Sequence, residues 1–109
     1  MEYFVIGERE LVLGFMLAGV KGQAAFNRRE ALDAFLHATG QDEFPLSEAE
    51  RPKVLILTEE VSDMISDEVR AWQMKGKSPL IVEVPPLSGH IPGRKTLEDA
   101  IREAVGIQV

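Results

Sequence analysis

Three carboxylates stand where strand-to-helix turns are expected. Glu8 follows the apolar run Tyr3-Phe4-Val5-Ile6-Gly7, and Glu59 and Glu60 follow the apolar run that ends at Thr58. In an open α/β domain, turns of this kind meet where the strand order reverses, and there a phosphate, a catalytic acid or a cation is held. Carboxylate oxygens at that point suit Mg²⁺. Acids at helix starts also have a plainer use, since they offset the positive end of the helix dipole.

The other chemical candidates are weaker. The glycines at 7, 14, 19 and 22 do not form G-x-G-x-x-G, so the tight turn that lets a pyrophosphate reach a helix start is missing. Gly76-Lys77-Ser78 looks like the end of a phosphate loop, but it leads from a helix into a strand, whereas a phosphate cradle leads from a strand into a helix. A stop for the preceding helix is the better reading. A receiver-like domain would need a phospho-accepting aspartate at the end of the third strand, and Thr58 stands there. His37 and His90 have no second histidine or cysteine at ligand spacing, and none of Ser62, Ser66, Ser78 and Ser88 sits in a nucleophile elbow. Trp72 continues an apolar helical stripe, which favours packing over a binding anchor. No cofactor is implied, and nothing forms a complete catalytic set.

Composition narrows the classes further. At 109 residues and 45% hydrophobic the chain is about one domain long and can bury a core. The net charge of −6, with no basic run longer than two residues, disfavours nucleic acid as a partner. The absence of cysteine excludes a disulfide framework and a thiolate metal site. No apolar run approaches the roughly 20 residues of a membrane span, and no leader pattern opens the sequence. A soluble, cytoplasmic protein without membrane insertion is expected.

The elements that would position these residues alternate along the chain. A first strand is expected at 2–7 and a helix at 8–18, closed by Gly19. This helix is apolar almost all round, through Leu11, Val12, Leu13, Phe15, Met16 and Leu17, and so wants more than one covered face. Gly14 inside it costs about 1 kcal/mol against alanine, which points to a close packing contact. A short second strand is expected at 22–26. The second helix has Asn27 as N-cap, Glu30 in the capping-box position and Gly40 as its stop. An acidic connection covers 41–52, with a turn of helix after Ser47 and Glu50 in the capping position.

The run Lys53-Val54-Leu55-Ile56-Leu57-Thr58 is apolar without alternation, as in a central strand covered on both faces. One helix is expected from 59 to 75, with Val61, Met64, Ile65, Val69 and Trp72 on its apolar side. A fourth strand follows at 79–84, ended by Pro85-Pro86. Residues 85–95 read as a Pro/Gly-rich linker. Residues 96–109 read as an amphipathic helix with Leu97, Ala100, Ile101, Ala104 and Val105 on one stripe.

Alternation of this kind predicts an α/β fold: a four-stranded parallel sheet with helices on both faces, Rossmann-like or receiver-like, plus a tethered C-terminal helix. The expected division is an α/β domain at 1–84, the linker at 85–95 and the last helix at 96–109. With strand order 2-1-3-4 and right-handed crossovers, the first helix lies alone on one face and the others on the opposite face. A seat beside the first helix is then open, for the last helix or for a partner. A binding function is what the residues leave. The alternative is a receiver-like signalling or small-ligand domain holding Mg²⁺ near Glu8 and Glu59.

Three stretches carry a family resemblance: Val5-Ile6-Gly7 leading into Val12-Leu13-Gly14-Phe15-Met16-Leu17-Ala18-Gly19-Val20, then Ile56-Leu57-Thr58-Glu59, then Pro79-Leu80-Ile81-Val82-Glu83-Val84-Pro85 with Ala104-Val105-Gly106-Ile107. Together they resemble the F subunits of prokaryotic V-type (A-type) ATP synthases over nearly the whole chain. The sequence departs from that pattern at Met16, where arginine is common. The resemblance implies a non-catalytic central-stalk rotor protein that docks on the coiled coil of the D subunit, with a mobile C-terminal segment reaching the A/B catalytic headpiece. It implies no nucleotide site and a place peripheral to the membrane, within the complex. Phe15, Met16, Leu97, Ile101 and Val105 are the residues expected to meet partners.

Overall fold

The computed structural model describes residues 2–86. Four strands, β1 (Tyr3–Gly7), β2 (Lys21–Ala24), β3 (Val54–Thr58) and β4 (Leu80–Val84), form an all-parallel sheet in the order β2-β1-β3-β4. The expected α/β class and strand order are therefore what the chain adopts. Register runs Tyr3 to Val54 to Leu80 and Val5 to Ile56 to Val82 across β1, β3 and β4. Since successive strand residues face opposite sides, these rows share one face, and Leu55, Leu57 and Ile81 share the other.

Helices α2 (Arg28–Ala38), α3 (Glu59–Met64) and α4 (Ser66–Lys75) cover that second face. The main core lies there, built from Ile6, Phe35, Leu55, Leu57, Val61, Ile65 and Trp72 with the alanines of α2. Trp72 is a core residue, and its indole N–H donates to the Pro79 carbonyl at 3.0 Å. On the first face there is a single helix among the described residues, α1 (Arg9–Leu17), and a small cluster of Val5, Leu11 and Val12.

Local chemistry explains most boundaries. Asn27 Oδ1 accepts the Glu30 N–H at 2.9 Å, while the Glu30 carboxylate reaches back to the Phe26 N–H, one residue beyond the usual capping-box donor. The end of α1 is closed by bonds from Gly19 N–H to the Met16 carbonyl and from Val20 N–H to the Phe15 carbonyl, with Gly19 at φ +89°. A left-handed residue is needed there, and glycine takes it without a Cβ clash. Ser47 and Glu50 bond reciprocally around one turn, as expected, and hydrogen bonding to the carboxylate from the Ser47 side chain, then from its backbone N–H, holds the Glu50 carboxyl below its ordinary range.

Three expectations are corrected. The helix expected at 59–75 is two helices, broken at Ile65 (φ −126°, ψ 36°). The freed Met64 carbonyl accepts from Arg28 Nη1 at 2.7 Å, and the same guanidinium pairs with Glu68 at 2.7 Å, so α2 supplies the bond that the break removes. Among the described residues Gly14 makes no close contact: a Cβ built there meets nothing of them within 4 Å. The tight glycine is Gly22, where an added Cβ would come within 2.6 Å of the Val5 carbonyl oxygen and crowd Val12. That approach draws β2 and α1 onto β1. The second strand itself begins and ends earlier than expected, at Lys21–Ala24.

Candidate functional site

The turns that could have held a ligand are closed by packing. A Cβ added to Gly7 would strike Thr58 Cγ2, so the gap between the ends of β1 and β3 is filled by the threonine methyl. Thr58 Oγ1 accepts the Val61 N–H at 3.2 Å and caps α3. Glu59 is buried at the start of α3 and Glu60 points outward. Among the described residues no group of three His, Cys, Asp or Glu stands close enough to hold a metal ion. The helix-stop reading of Gly76 holds, since it closes α4 in the left-handed conformation. His37 lies near the surface beside Asp42, at 2.7 Å.

The distinctive chemistry of the described chain is instead apolar and lies around α1. Leu11 and Val12 are the buried residues of this helix, fewer than its composition leads one to expect. Val12 sits over Gly22 of β2 and Leu11 over Gly7 of β1, so one flank of α1 faces the β2 edge and the other faces β3 and β4. The second flank carries Leu11, Gly14, Phe15 and Ala18, which with Glu10 line an open groove of about 350 Å³. Gly14 and Ala18 keep that wall low.

Beyond the groove, the sheet face over β3 and β4 has no helix among the described residues. Its residues are apolar: Tyr3, Val54, Ile56, Leu80, Val82 and Val84. Tyr3 is 49% exposed, Leu80 65% and Val82 39%. A trough results, with α1 as wall and strand side chains as floor. The outer side of α1 is apolar too. Leu13, Met16 and Leu17 are exposed, Leu17 at 92%, and their spacing of three and four puts them together on the helix. An exposed patch of contiguous large apolar residues marks an interaction surface.

Of the residues expected to meet partners, Met16 stands on the exposed outer side, and Phe15 is half-buried, packed against the small cluster on the trough side. Leu97, Ile101 and Val105 lie outside the described residues, as do the expected last helix and the linker from residue 87 onward. Leu13 and Leu17 share the exposed outer side with Met16, although the sequence reading does not single them out. Their signal is present all the same, because they lie opposite Leu11, Val12 and Phe15 on a helix of 3.6 residues per turn.

Fold and surface together define a small parallel α/β domain with an exposed apolar side on α1. Over residues 4–105 the sequence matches the family model described as ATP synthase (F/14-kDa) subunit. The chain belongs to that family, whose members are accessory and not catalytic components. Curated relatives agree along the full length. The F subunit of the A-type ATP synthase of Thermococcus kodakarensis is 32% identical over 110 residues, covering 100% of this chain and 98% of the relative. That of Pyrococcus furiosus is 28% identical over 109 residues, with 100% and 98% covered. That of Methanosphaera stadtmanae is 26% identical over 106 residues, with 96% and 92% covered.

Proposed function

We propose that this chain is the F subunit of an A-type (V-type) ATP synthase and acts as a non-catalytic part of its rotating central stalk. In this reading it binds the coiled coil of the D subunit through the outer side of α1, centred on Met16 with Leu13 and Leu17. It turns with that coiled coil, coupling ATP synthesis or hydrolysis in the A/B headpiece to ion translocation. The C-terminal segment extends its contacts toward the headpiece. It works peripheral to the membrane, and among the described residues no helix is long and apolar enough to cross one.

The observation that carries the proposal is the family match, which runs almost from end to end of the chain. The apolar outer side of α1 supports it, because a coiled coil offers a helical partner whose own side chains can pack into such a stripe. Co-expression with the coiled coil of a D subunit tests it. A stable stoichiometric complex of the purified proteins is expected, and no association at micromolar concentration would refute the proposal.

A further inference from the structure

We propose that the cavity at the amino ends of β3 and β4 is a docking site for an acidic segment of another polypeptide, one that sets a large apolar side chain between carboxylates. The cavity shares no residue with the outer side of α1, and the proposal does not rest on contact with the D subunit.

Three pieces of chain build the site. Helix α4 ends at Lys75 and is closed by Gly76, the chain passes through Lys77 and Ser78, and β4 begins at Leu80, whose N–H donates to the Lys53 carbonyl at 2.9 Å. Between them lies a cavity of about 460 Å³, a size usual for a ligand pocket. Its base is fixed, because Trp72 and Pro79 are buried and the indole N–H donates to the Pro79 carbonyl at 3.0 Å. A floor locked in this way has little conformational freedom left to lose when a partner arrives.

The charge of the lining selects the partner. It carries two cations, Lys53 and Lys77, and no carboxylate. In a chain of net charge −6 this sets it apart, since the groove beside α1 carries Glu10 and the cleft by Phe44 carries Asp33, Asp42 and Glu43. Lys77 joins no ion pair among the described residues. Lys53 does pair with Glu2, at 3.1 Å, but both side chains are largely exposed, and so solvated a pair yields readily to a better-placed carboxylate. Lys75 has a different use: it offsets the negative end of the α4 dipole and lies over the Trp72 ring, 5.5 Å from its centroid.

The shape of the lining selects further. Leu80 gives the cavity an exposed apolar side. A small inorganic anion does not suit the interior, because the carbonyl end of α4, at Gly76, lines it and disfavours negative charge there. The lysine tips are then where carboxylates are met, while an apolar side chain packs against Leu80. An extended acidic segment with one leucine-like residue offers both.

Titration of the full-length chain with a blocked peptide, one leucine flanked by three glutamates on each side, tests the proposal by amide NMR. The amides of Lys77, Ser78 and Leu80 and the indole N–H of Trp72 should shift saturably, with a Kd below about 1 mM at low salt. Lys53→Gln combined with Lys77→Gln should weaken binding about tenfold. Lys21→Gln, at the same end of the sheet but outside the cavity, should leave it unchanged. A peptide with alanine in place of leucine should bind about fivefold more weakly, since it lacks the side chain that packs on Leu80. Absence of saturable shifts at these positions would overturn the proposal. Equal weakening by Lys21→Gln would also overturn it, by reducing the effect to net charge. Equal affinity for the alanine peptide or for inorganic phosphate would do the same, leaving a general preference for anions in place of a docking site.

Discussion

The two faces of the sheet are made from the same strands and differ in how fully they are covered among the described residues. On one face Ile6, Leu55 and Leu57 are fully buried under α2, α3 and α4, and the break between α3 and α4 is clamped by Arg28. On the other face α1 covers β1 and β2, and the apolar residues of β3 and β4 stay in contact with solvent among the described residues. Burial of apolar area stabilises a fold by about 25 cal/mol per Å². A face left open forgoes that gain, and it keeps its apolar area available for an additional element. The contrast therefore separates a face that holds the domain together from a face that is only partly covered among the described residues.

Substitutions can break this contrast. The largest effect is expected on the covered face. Phe35→Ala removes a fully buried ring between α2 and the sheet and should cost about 3–5 kcal/mol of unfolding free energy in a denaturant titration. A comparable loss from Leu80 on the open face would erase the distinction.

Next is the boundary between closed and open halves of the first face. Gly22→Val places a side chain against the Val5 carbonyl and Val12, and should cost about 1–3 kcal/mol by overpacking. Gly14→Ala, by contrast, should not destabilise the domain, since the added methyl meets nothing described and alanine favours a helix by about 1 kcal/mol. Leu80→Ser should cost at most about 1 kcal/mol, as expected of a mostly exposed position.

The smallest effect sharpens the comparison through pH. The hydrogen bond from Arg28 holds the Glu68 carboxyl below its ordinary value of 4.5. A carboxylate whose folded value is depressed contributes stability that is fully present above its unfolded value and is lost as pH falls through the folded one. Glu68→Gln should therefore lower the unfolding midpoint slightly at neutral pH, and the gap to the parent chain should close in acid. A gap of the same size at every pH would show that the ion pair does not clamp the break.

Much of this arrangement is legible in the residue pattern. The unalternating apolar runs identify the buried strands, and the alternation of elements with right-handed crossovers leads to the strand order and to the open seat beside α1. What is not legible has local causes. The stripe Val61, Met64, Ile65, Val69 and Trp72 keeps helical spacing across the break at Ile65, so periodicity alone hides it. The acids that restart the helix, Asp67 and Glu68 after Ser66, are the available sign. A glycine inside a helix suggests a contact within the domain, and only the fold separates a glycine under pressure, Gly22, from one beside an open groove, Gly14. Exposure on α1 is hidden for the same reason. Leu11 and Leu17 are the same residue type, and which one meets the sheet depends on how the helix is rotated upon it.

The central claim is that the apolar outer side of α1 is a partner surface and not an uncovered piece of core. The affinity of the full-length chain for the coiled coil of a D subunit, compared between the parent and Met16→Asp with unfolding midpoints recorded alongside, tests it most directly. Met16 is 52% exposed, so the midpoint should stay within experimental scatter of the parent value while binding weakens by about tenfold or more. Unchanged affinity, or a loss of affinity matched by a collapse of the unfolding midpoint, would contradict the account.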